Sequence, residues 1–229
     1  MSKSGETKFS TQSELISERL GEINWLTGTA KEGATAFVKL DTKLQALCKR
    51  EGDAEAAKDT AIERVFEFDG ERDAIIPDIA AALVGAKITQ PKSPFKGFSK
   101  YSPVALTKLH FTTETKFVIE LCETLKTAKV PASVKSLGVK LAKANAKVEV
   151  ATKAFDKAAA AHTLALKARN EFMPEWHKAL SNLRLQMKAA LNGQPGAYEA
   201  LFSAPESAPP PKPRKPAKGK PEKGVVPAA

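Results

Sequence analysis

The sequence predicts an all-α protein, an elongated antiparallel bundle of about four long helices followed by a basic tail. Three observations carry that expectation. Apolar residues recur at alternating steps of three and four along most of the chain. Aromatics make up only 7% of residues, and alanine, the strongest helix former, supplies much of the 42% apolar content. Proline and glycine gather at a few breaks and after residue 204. With 229 residues, the expected layout is one helical unit over 11–203, with disordered ends at 1–10 and 204–229.

The first helix is expected to start at Thr11-Gln-Ser-Glu14, where the threonine oxygen takes an orphan backbone N–H and the glutamate reaches back. Ile16, Leu20, Ile23, Ala30, Ala34, Phe37, Leu44 and Cys48 then form one stripe, interrupted by Thr27 and Asp41. Glu51-Gly52-Asp53 is read as the end of that helix and the cap of the next. The second helix points Ala61, Ile62, Val65, Phe66, Ile75, Ile76, Ile79 and Leu83 inward, bends near Gly70 or Pro77, and stops at Gly85. Pro91, Pro94 and Gly97 exclude continuous helix up to Ser102. Ser102-Pro103 opens a third helix through Leu106, His110, Phe117, Leu121 and Leu125 to a break at Val130-Pro131.

The fourth helix carries the strongest pattern. From Val134 through Leu141, Val148, Phe155, His162, Arg169 and Trp176 to Met187, a heptad-like, coiled-coil-type seam continues for some 60 residues, roughly 90 Å of helix. Pro174 is expected to kink it, and Asn192-Gly193 to end it. Such a seam also offers a surface for homo-oligomers or a protein partner. His162 and Arg169 fall on it, where a polar side chain either tilts to water or fixes how two helices align. Tyr198, Leu201 and Phe202 are placed to dock back.

Several chemistries lack their residues. Three histidines, His110, His162 and His177, are too dispersed for a metal-ligand motif, and no paired Glu-x-x-His exists for a di-iron bundle. His110 and Glu114, four apart, are expected to share a local hydrogen bond. Gly28 to Thr35 approaches a phosphate loop, but Ala34 stands where the lysine is needed and no strand precedes it. No cofactor is expected, and the residues favour a non-enzymatic role. Cys48 and Cys122 read as buried reduced thiols. The N-terminus has no apolar leader and no stretch is apolar enough to span a bilayer, so a cytoplasmic location is expected.

Net charge is +10, which favours acidic partners, and three segments concentrate it. The tail holds Lys212, Arg214, Lys215, Lys218, Lys220 and Lys223, suited to sequence-independent phosphate contact or to solubility. In composition it resembles the Lys/Pro/Ala tails of linker histones. Pro213-Arg-Lys-Pro216 is similar to an AT-hook but lacks the Arg-Gly-Arg centre. The loop with Lys92, Phe95, Lys96, Phe98, Lys100 and Tyr101 interleaves cations with rings that either stack on bases or tuck onto the bundle end. Lys140, Lys143 and Lys147 form a basic stripe beside the seam. Association with itself or a protein partner is thus the leading expectation, and non-specific nucleic-acid binding the next. Alanine-rich helices with such a tail also resemble phasin-like coats of granules or membrane surfaces.

Overall fold

A computed structural model describes residues 14–23, 26–192 and 194–203. The Thr11–Ser13 part of the first cap and the basic tail from 204 lie outside these residues. A short helix α1 at 14–22 leads into α2 (Gly28–Asp73), α3 (Ile75–Gly85), α4 (Pro103–Leu106), α5 (Phe111–Thr127), α6 (Ala132–Ala190) and α7 (Pro195–Phe202). No strand occurs among the described residues. No described helix is long and apolar enough to cross a membrane.

The molecule is organised around α2 and α6, which run antiparallel. Trp176 reaches Asp41, Arg169 reaches Glu51 and Lys147 reaches Glu71, so each advance along α2 is matched by an equal retreat along α6. At one end, Ile16, Leu20, Ala30, Phe37 and Leu44 enclose Phe172, Trp176, Leu183 and Met187, and Leu201 of α7 closes the cluster. At the other end, Ile76, Ile79 and Leu83 of α3 pack with Leu106, Val118, Leu121, Leu125, Val134 and Leu141. Two lobes therefore sit at the ends of a helical pair.

Several boundaries differ from the sequence expectation. The first helix is interrupted at 23–27 and restarts at Gly28, which holds a left-handed φ of +58° suited to a residue without Cβ. Glu51-Gly52-Asp53 does not end a helix. α2 continues through it, because a lone glycine costs a helix only about 1 kcal/mol and flanking turns carry it. The true break comes at Ala74, between Gly70 and Pro77, with Pro77 in the first turn of α3, where its missing N–H costs nothing. Ser102 caps α4 through Ala105 N–H, as expected, but the third helix is split in two, and His110 stands exposed at the N-cap position of α5 without a side-chain capping bond. Phe66 is 61% exposed rather than inward. α6 passes Pro174 without a break. Most of its seam is buried as read, with Gly138 and Asn145 joining it, while Phe155 and Ala158 stay half-exposed. Cys48 and Cys122 form no disulfide and are only half-buried, and burial pushes the Cys122 thiol up to about 11.

Candidate functional site: a buried charge hub and a two-helix waist

Arg72, near the end of α2, is fully buried, and its planar fork joins three helices. Nη1 donates to Thr115 Oγ1 of α5 and to Asn145 Oδ1 of α6, both at 3.1 Å. Nη2 meets Glu114 Oε2 at 2.7 Å and also bonds Asp69 one turn back. Asn145 Nδ2 in turn donates to the Thr115 carbonyl at 3.3 Å. Glu114 is as fully buried as Arg72.

The carboxylates of Asp69, Asp73 and Glu114 lie within 4.8 Å of one another. Three anions around one guanidinium leave excess negative charge in a desolvated place, which favours taking up a proton. Burial, then a hydrogen bond to Asp73, raise Glu114 to about 8 despite the opposing pull of Arg72, and burial also raises Asp73. Oxygens of this kind could hold a cation, but the Arg72 guanidinium already occupies the space between Asp69 and Glu114. The arrangement is a built-in ion cluster that joins α2, α5 and α6.

A pH dependence follows. Between the ordinary Glu114 value of 4.5 and about 8, the folded chain keeps a proton that the unfolded chain releases. Stability therefore falls as pH rises through that window. Urea midpoints should decrease from pH 5 to pH 8.5, and Glu114→Gln should flatten that decrease.

The sequence missed this hub because Arg72 meets Glu114, Thr115 and Asn145 across 42 to 73 positions, with no local spacing to announce it. His110 and Glu114 do not pair: His110 Nδ1 meets Thr112 Oγ1 at 2.8 Å, outside α5, and Glu114 turns inward. His162 and Arg169 do not tilt to water either. Both converge on Glu51, Arg169 Nη1 at 2.9 Å from Oε2 and His162 Nε2 at 3.7 Å from Oε1.

The basic segments are dispersed. Phe95 is 2% exposed, Phe98 and Tyr101 pack on the same lobe, and Tyr101 meets Phe117 edge-on at 4.8 Å. These rings tuck inward rather than offering a stacking platform, and Lys100 lies over the Phe117 ring at 4.1 Å. Lys92 and Lys96 are exposed on that loop. Lys140, Lys143 and Lys147 line a groove with Glu71 and Asp78, and Lys147 bonds Glu71 at 2.8 Å, so part of the stripe is neutralised within the fold. Lys212, Arg214, Lys215, Lys218, Lys220 and Lys223 lie outside the described residues.

Between the lobes the molecule thins. From Leu44 to Val65 on α2, and from Ala151 to Ala165 on α6, no intervening side chain is fully buried. This waist is two helices wide, about 30 Å long measured on α2 and about 20 Å on α6, at 1.5 Å per residue. No family model, curated protein or solved structure matches this chain.

Proposed function

We propose that this protein is a non-enzymatic association module that works by binding a second protein surface along its helical pair, most directly another copy of itself. The waist carries this reading. Two helices pressed together over about 20 to 30 Å ordinarily seal an apolar seam, yet here Ala54, Ala61, Ile62, Phe155 and Ala158 all remain partly open to solvent. Helices whose inner residues stay wet gain little from pairing alone, and a further layer would complete the core. The inward-turned rings of the 92–101 loop give a nucleic-acid reading less support.

Light scattering of the full chain over a wide concentration range tests this. The expected result is a molar mass rising above 24.6 kDa to a defined multiple. A mass held at 24.6 kDa throughout would overturn self-association as the function.

A further inference from the structure

Phe66 is the only aromatic among the large apolar side chains left exposed on the described residues. Its surroundings on α2 carry one sign of charge. At 3.6 residues per turn, Asp59, Ile62, Glu63, Glu67 and Gly70 share its arc of the helix, and no lysine or arginine falls on that arc. Asp59, Glu63 and Glu67 are all exposed. Asp59 touches only its neighbour Lys58, at 3.8 Å, and Glu63 and Glu67 form no ion pair among the described residues. Ile62, one of the wet residues of the waist, borders the ring. The outcome is a convex ridge: an open aromatic ring edged by acid.

The hairpin of α5 and α6 carries the opposite shape and the opposite sign. Between these helices runs a groove floored by Cys122, Leu125, Gly138, Val139 and Ala142. Val139 is apolar yet exposed there. Lys126, Lys135 and Lys143 stand around the floor, with Glu123 the one carboxylate beside them. The three lysines are exposed and form no ion pair among the described residues. From Thr124 to Val148 the sequence holds six lysines and no acidic residue. A cationic rim around an apolar floor selects an anionic partner that also brings an apolar anchor.

That double requirement chooses among anionic partners. A nucleic-acid backbone matches the lysines but offers phosphates where the floor needs an apolar side chain. A lipid headgroup layer is flat, whereas the floor is recessed between two helices. An acidic helix edge with one projecting ring meets both demands, and α2 of this chain is such an edge.

Resting on the association reading above, we propose that Phe66 and its flanking carboxylates on α2 of one copy dock in the lysine-rimmed groove between α5 and α6 of a second copy. Glu63 and Glu67 then face the lysines, and the ring covers the floor. Each copy carries both halves, so a closed assembly satisfies every ridge and every groove.

Reversing charge on one surface at a time tests the pairing. Glu63→Lys/Glu67→Lys makes the ridge basic, and Lys135→Glu/Lys143→Glu makes the groove acidic. Each double variant alone should associate about tenfold more weakly or worse, since it sets like charges across the contact. Mixed in equal amounts, the two should recover the parental molar mass. The basic ridge of one then fits the acidic groove of the other, and the unaltered ridge and groove fit as before. Phe66→Ser, which removes the anchor, should also weaken association by about tenfold. Lys178→Glu, exposed on α6 in the other lobe, should leave the mass unchanged, and far-UV circular dichroism should show all chains equally helical. An oligomer insensitive to both reversals, or variants that fail to rescue each other, would overturn this pairing while leaving self-association intact. So would binding to phosphatidylglycerol vesicles that Lys135→Glu/Lys143→Glu abolishes without changing the oligomer, which would give the groove to a lipid surface. A chain that is monomeric at every concentration would overturn both.

Discussion

Replacing Arg72 with methionine should lower the unfolding free energy by about 3–5 kcal/mol, the range for removing one partner of a buried ion pair. The side chain is fully buried and its guanidinium is the only cation that the described residues place among Asp69, Asp73 and Glu114. Its loss leaves Glu114 buried without its counterion and removes the donors to Thr115 and Asn145. Those acceptors cannot be rehydrated between α2, α5 and α6. Glu114 would relieve part of the penalty by holding its proton to higher pH still. The double variant Arg72→Met/Glu114→Leu should consequently lose less than Arg72→Met alone, since it strands no buried acid. Urea unfolding at pH 8.5 offers the widest separation between the two. Equal losses would mean that Arg72 acts by packing rather than charge.

The second large effect belongs to the other lobe. Trp176→Ala should cost about 3–5 kcal/mol, the range for deleting a large buried aromatic side chain. Trp176 is 1% exposed and its ring stands 5.7 Å from that of Phe37. Its indole Nε1 also donates to Asp41 Oδ1 at 3.0 Å, while Ser17 donates to Oδ2 at 2.8 Å. Truncation opens a cavity between α2 and α6 and also strips a buried carboxylate of a donor. Asp41→Ala should be milder than Trp176→Ala, because it leaves the indole N–H and the Ser17 hydroxyl without an acceptor but opens a far smaller cavity. Trp176→Phe separates the two contributions by keeping most of the volume and losing the donor. If Trp176→Phe proved as damaging as Trp176→Ala, the hydrogen bond rather than the packing would hold this lobe.

How much of this was legible in the sequence differs between the backbone and the side-chain clusters. Periodicity placed the α6 seam from Val134 to Met187 and the α2 stripe from Ala30 to Leu44, because apolar spacing directly reports the buried side of a helix. Ser102-Pro103, Gly85 and Pro131 marked real boundaries through local chemistry that needs no tertiary context. Gly52 misled because a single glycine weakens a helix without ending it when both sides propagate strongly. Asp41 read as an interruption of the stripe and is instead the acceptor for Trp176, a partner 135 positions away. The Arg72 hub was invisible for the same reason.

One further consequence attaches to the waist and its flanking polar contacts. With no fully buried side chain between Leu44 and Val65 or between Ala151 and Ala165, the waist itself offers little packing to resist a slide of α2 along α6 by one heptad. What forbids such a slip is the pair of latches that bracket it. Glu51 with Arg169 and His162 holds one end, and Arg72 with Asn145 holds the other. A displacement by one heptad would part both at once and strand a buried guanidinium. The waist supplies the span, and the charged residues at its limits supply the single alignment that the two lobes require.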